Sequence, residues 1–240
     1  MNKNFFYFLL LAHLVYSNDI QLAVNKSKTN LNPRNSNFSY LIGVMVEFVE
    51  DNNSETSGDG KFMVDEDLTY IHYPYIKRCD KNSKLVIDLP PHNSEYFQLQ
   101  MEAVKNYYES ISNNAITFEI DIIENIYQLS QSMAYYATSD QKIGSLFSES
   151  MELASNDIEQ YINTNNIDLN DVLFVVFHAG LGQEASQEFD PTIYDIRSAY
   201  IDPNMLNNVS ASSWISINNI ERGIVLPETL NWIFYDVIED

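Results

Sequence analysis

The sequence contains very little cysteine and few basic residues. Cys79 is the only cysteine among the 240 residues, which excludes an intrachain disulfide and a metal site built from several cysteines. Lysine and arginine number 13 against 34 aspartates and glutamates, which gives a formal net charge of −21. No basic stripe offsets this charge locally, so it repels nucleic acid and anionic membranes, and we predict neither as a partner. The acids are scattered, which favours a solubilising surface over a dedicated cation site.

The sequence also lacks an apolar run long enough to span a bilayer. The run at residues 5–16 is too short, because a transmembrane helix needs about 20 apolar residues. Lys3 precedes this run, and Ser17, with Val15 two positions earlier, has the pattern of a signal-peptide cleavage site. We therefore predict a secretory signal over residues 1–17. The protein would then be secreted, or held in the periplasm or cell envelope, without stable membrane insertion.

The rest of the chain divides into a leader and one folded unit. Residues 18–38 are polar, rich in asparagine and without hydrophobic period, which predicts a flexible leader. Residues 39–240 carry most of the hydrophobic residues, which make up 45% of the sequence. This composition is sufficient for a packed core.

Short motifs that identify a catalytic centre on their own are missing. There is no G-x-S-x-G elbow, and "GLGQE" lacks the Lys-Ser/Thr ending of a phosphate-binding loop. No two histidines have the spacing of a zinc platform on one helix face. Carboxylates are too numerous to single out an acid–base pair. No catalytic residue is therefore assigned.

Hydrophobic periodicity predicts five alternating elements. Residues 40–50 and 172–177 are almost wholly apolar, as in strands buried on both faces, and residues 115–124 alternate like a half-exposed strand. Helices are predicted over residues 90–114 and 142–162. The order strand, helix, strand, helix, strand predicts an α/β (α+β) fold with helices packed on a twisted mixed sheet. In the last third, "SWISINNI" and "GIVLP" are predicted as short β pieces.

The two predicted helices each carry one apolar stripe. Asn93 or Ser94 can cap the first helix. The apolar positions on its stripe are Phe97, Met101, Val104, Tyr108 and Ile111. Those on the second are Ile143, Phe147, Met151, Ala154 and Ile158.

An acidic stretch after the first strand partly resembles a calcium loop. Asp51, Asn53 and Glu55 have the spacing of the first ligands of an EF-hand. The sixth position, where the EF-hand turn requires glycine, has none. These three residues are weak calcium candidates, and an ordinary acidic turn is the favoured interpretation.

The stretch "DVLFVVFHAGLGQE", residues 171–184, places a histidine at the end of a buried strand. We predict that the strand ends near Phe177 and that a glycine loop follows His178. A lone histidine can bind metal, transfer protons or satisfy a loop carbonyl, and without a partner the structural role is the commoner one. Gly180 and Gly182 are compatible both with close approach of a ligand to the backbone and with an ordinary turn.

Seven segments, in the same order, resemble the front half of the catalytic domain of secreted zinc metallopeptidases of the immune inhibitor A type. They are "VMVEFVED", "SGDGKF", "PPHNSEYFQLQMEAVKNYYESIS", "ITFEI", "MAYYA", "DVLFVVFHAGLGQE" and "IVLPET". The resemblance implies a zincin-like N-terminal lobe that forms the upper wall of a cleft. Its edge strand would pair with an extended polypeptide substrate. Zinc in the intact parent protein would be held by an H-E-x-x-H helix and would activate water.

This sequence departs from the family pattern because it contains no H-E-x-x-H. Residues 230–240, which follow Pro227-Glu228-Thr229, include no histidine. No zinc ligand or catalytic glutamate is carried over, so the chain as given is expected to be inactive. We expect it to be truncated at the C-terminus; the alternative is an exported, non-catalytic binding module, a pseudo-peptidase that binds a partner or cations such as calcium.

Five positions match family segments of unassigned role. His178, Gly180, Gly182 and Glu184 match the "HAG-x-G-x-E" segment, and Glu228 matches the P-E-T segment. The resemblance places them near the rim of the cleft. They are candidate cleft-rim residues.

Overall fold

In the computed structural model, the described part of the chain comprises residues 38–51, 53–57, 59–64, 90–183 and 192–230. The predicted signal, almost all of the predicted leader, and Glu184 lie outside these residues.

The described fold is a five-stranded mixed sheet with helices on both faces. The strands are β1 (Tyr40–Glu47), β2 (Glu119–Gln128), β3 (Val172–Gly182), β4 (Ala199–Ile201) and β5 (Gly223–Leu230). Their order in the sheet is β2-β1-β3-β5-β4. β4 alone is antiparallel to its neighbour, β5, and all other pairings are parallel. The predicted α/β class with a mixed sheet is confirmed.

The two strands predicted as doubly buried lie side by side in the sheet. β1 and β3 expose almost nothing on either face, because helices cover both sides of a parallel sheet. β3 is the middle strand. It does not end at Phe177 but continues to Gly182, since it resumes pairing with β5 at Leu181 and Gly182. The predicted loop directly after His178 is therefore wrong.

The described ranges contain four α-helices beside the sheet: α1 (Ser94–Ser112), α2 (Met133–Tyr136), α3 (Asp140–Asn165) and α4 (Trp214–Ile217). Asn93 caps α1 as predicted, because its side chain accepts a hydrogen bond from the Tyr96 amide. The predicted stripes of α1 and α3 are buried, with one exception. Ile111, in the last turn of α1, is 55% exposed.

Each long helix covers its own face of the sheet. The α3 side packs around Phe147, Phe174 and Val176, and the α1 side around Phe97, Val175 and Phe177. Successive side chains of β3 point to opposite faces and enter the two cores in turn, so the strand is buried on both sides.

The segment "SWISINNI" is helical, which contradicts the prediction of a strand. Ser213 caps α4 by accepting from the Ser216 amide. The amide and the indole N–H of Trp214 donate to Glu152 and Glu159 of α3, at 2.8 and 2.7 Å. Contacts with α3 thus stabilise this single helical turn. A segment of this length contains too few apolar residues to show a helical period.

Candidate functional site at the carboxyl end of the sheet

The sheet contains a β-bulge where β3 passes Glu228. His178 is aligned with Pro227 and Leu181 with Thr229, so Ala179 and Gly180 together oppose one residue of β5. Pro227 has no amide hydrogen to donate to the ladder. A bulge in a buried strand leaves peptide groups that need other partners.

Side chains that flank the bulge supply these partners. The Gly180 amide donates to Oε2 of Glu228 at 2.9 Å. His178 donates from Nδ1 to the carbonyl of its neighbour Ala179 at 3.0 Å. Gly180 has a φ of +90°, a conformation that only glycine adopts readily. Glycine at position 180 is thus required by the bulge geometry.

The Glu228 carboxylate joins three chain segments. Besides Gly180, it binds the Met63 amide and Nδ1 of His92, both through Oε1, at 2.9 and 2.7 Å. The His92 amide in turn donates to the Met63 carbonyl at 2.7 Å. Both Glu228 and His92 are almost fully buried. In this conformation a dissolved substrate cannot reach either side chain. We call Glu228 and the three groups that donate to it the Glu228 clamp.

His92 is the residue of this site that the sequence analysis missed. It precedes the N-cap of α1, and its ring stacks on Tyr96 with ring centroids 4.4 Å apart. Its contact with Glu228 spans 136 positions, which no local pattern reveals. Nδ1 donates to the carboxylate, and Nε2 has no hydrogen-bond partner among the described residues. A buried nitrogen without a partner costs about 1–3 kcal/mol, so this ring is held at some expense in stability.

His178 lies on the other face of the sheet, in an apolar environment. Its ring is fully buried and meets Phe48 edge-on, with ring centroids 5.6 Å apart. Burial lowers the pKa of His178 to about 4, and the hydrogen bond to the Ala179 carbonyl offsets this only partly. The imidazole is therefore neutral at neutral pH.

Two further segments close over the bulge. The Leu181 amide donates to the Ser57 hydroxyl at 2.8 Å, and the Ser57 amide donates to Oδ1 of Asp195 at 2.7 Å. The Tyr194 amide donates to the Glu55 carbonyl at 2.9 Å. These hydrogen bonds join residues 55–57, 178–181 and 194–196 into one unit, which we call the clasp.

Of the candidate cleft-rim residues, the structure brings His178, Gly180 and Glu228 together at the bulge. Gly182, at the end of β3, is also buried. The functional role of these residues stays a prediction.

The three weak calcium candidates lie in one turn, in which two of them use a side-chain oxygen locally. Oδ1 of Asp51 accepts from the Asn53 amide at 3.3 Å, and Oδ1 of Asn53 accepts from the Glu55 amide at 3.0 Å. Such bonds are typical of Asx turns. Within the ranges that the structure covers, no group of three or more His, Cys, Asp or Glu residues is placed to hold a metal ion.

Comparisons with protein-family models, with curated proteins and with solved structures give no match to this chain. None of the helices in the described ranges combines the length and the apolar character needed to cross a membrane.

Proposed function

We propose that this chain is the N-terminal part of an exported zinc-dependent endopeptidase, whose sheet binds the polypeptide substrate. The resemblance to the immune inhibitor A type motivates the proposal. The order of elements supports it, because the resembling segments include β1, α1, α2, β3 and β5 in one α/β fold.

The observation that carries the proposal is the position of β4 in the sheet. β4 pairs with β5 on one side, and no described strand pairs with its other side. An edge strand presents backbone N–H and C=O groups to which an extended peptide can add as a further strand. Ala199 and Ile201 are buried and Tyr200 is half-buried, so side chains anchor β4 while its backbone forms the edge.

The residues of this chain do not fit a catalytic zinc site. The sequence contains no H-E-x-x-H, and the described residues include no cluster of three metal-binding side chains. Zinc and its ligands would have to be supplied by another segment of the intact enzyme. We therefore assign no catalytic step to this chain.

A non-catalytic, exported binding module is the second candidate. The lack of H-E-x-x-H in the 240 residues favours it. Both candidates bind a polypeptide or another partner, and they differ in whether a zinc-bearing segment completes the protein.

We expect the 240-residue chain to bind reduced casein without cleaving it. Anisotropy of fluorescently labelled casein measures binding, at an ionic strength that screens repulsion between two acidic proteins. Gel electrophoresis after incubation with added zinc measures cleavage. A native, disulfide-bonded globular protein serves as the control, because it offers no extended segment. Failure to bind casein would argue against the substrate-binding role. Zinc-dependent cleavage would contradict the conclusion that the residues of this chain do not form a catalytic zinc site.

A further inference from the structure

His178 lies fully buried in the clasp, where three chain segments meet. Its ring contacts Phe48 at the end of β1 and the carbonyl of Ala179 in β3. Ile196 belongs to the same buried cluster as Phe48. Ile196 belongs to the segment that leads directly into β4. Any change in the charge of His178 therefore acts on the connection to the edge strand.

Within the described ranges, the titratable groups nearest to His178 have other partners. Asp195, on the segment that leads to β4, accepts the Ser57 amide. Tyr136, behind Phe48, donates to Glu149 of α3. Glu228, on β5, points to the opposite face and binds His92. Glu47, on β1, binds Lys61. No ion pair involves His178 in the described ranges, so an imidazolium there would be a buried charge without a counter-ion.

We propose that the clasp is an acid-responsive device in which protonation of His178 releases residues 55–57 and 194–196 and so loosens β4. The release itself does not depend on polypeptide binding. Its consequence for substrate binding rests on the proposed function.

The direction of the response follows from proton binding in the two states. In the closed clasp the pKa of His178 is about 4, whereas in the open clasp the ring regains its ordinary pKa of about 6.5. Between these values the open state binds the proton and the closed state does not. Opening is therefore favoured by up to about tenfold per pH unit as the pH falls, and by about 160-fold at pH 4.

Hydrogen exchange of the free protein at pH 7 and pH 5 tests the proposal. After correction for the intrinsic pH dependence of exchange, the amides of Ser57, Leu181 and Tyr194 should lose about 20-fold in protection at pH 5. Amides in the middle of α3 report global unfolding and should keep their protection. His178→Asn retains a donor near the position of Nδ1 and does not titrate, so it should abolish the loss.

Two further measurements identify the titrating group. Asp195→Asn should leave the acid response unchanged, and its loss in that variant would assign the response to Asp195. NMR titration of the His178 ring in the wild-type protein does not depend on any variant folding. A ring that protonates near pH 6.5 in the closed protein would overturn the proposal. Unchanged protection of the three amides at pH 5 would do the same.

Discussion

Replacement of Glu228 by glutamine is expected to destabilise the fold by about 2–4 kcal/mol. The carboxylate accepts from three donors, the amides of Met63 and Gly180 and Nδ1 of His92. Glutamine has one acceptor oxygen and one NH₂ group, so in either orientation at least one buried N–H faces another donor. The midpoint of urea unfolding, followed by circular dichroism, measures the loss.

Glu221→Gln is the matched control for this experiment. Glu221 lies just before β5, it is exposed, and it undergoes the same chemical change. We expect its stability to change by less than about 0.5 kcal/mol. Equal unfolding midpoints for the two variants would show that the Glu228 clamp contributes nothing to the fold.

Replacement of Gly180 by alanine is expected to cost a similar amount, about 2–4 kcal/mol. The residue has a φ of +90°, and an added Cβ would lie 2.5 Å from Cε of Met133 and 3.3 Å from the Ser57 hydroxyl. Cε is the flexible end of the buried Met133 side chain, so a shift of this methyl group relieves only part of the clash. Thermal and urea unfolding both measure this effect.

Gly60→Ala separates the loss of stability caused by backbone strain from the loss caused by steric crowding of the added Cβ. Gly60 has nearly the same φ, +91°, but its added Cβ would come no closer than 3.1 Å to Phe48. We expect a smaller loss at Gly60 than at Gly180. A loss of equal size would mean that strain of the backbone alone, without crowding at the bulge, explains the result.

Hydrophobic periodicity in the sequence was sufficient to predict the elements whose buried residues recur at a regular spacing. The stripe of α3 from Ile143 to Ile158 is buried as predicted, because a long amphipathic helix shows its buried face in its own spacing. The apolar runs of β1 and β3 likewise predicted central strands. Single helical turns such as α4 escaped prediction, since neighbouring carboxylates rather than periodicity fix them.

The candidate site was predicted only in part. The sequence pointed to His178, Gly180 and Glu228, and the structure brings them together at one bulge. The bulge itself depends on the register between β3 and β5, which neither strand shows alone. No local pattern singles out His92, because its partner is a glutamate 136 positions away.

We propose that the outer edge of β4 pairs with an extended polypeptide. Residue-resolved hydrogen exchange at pH 7, with and without saturating reduced casein, tests it most directly. If β4 is the binding edge, casein should slow hydrogen exchange of at least one amide of Ala199–Ile201. Exchange along β2, the opposite edge of the sheet, should not change. Unchanged exchange in β4 despite casein binding, or equal protection at β2, would contradict it.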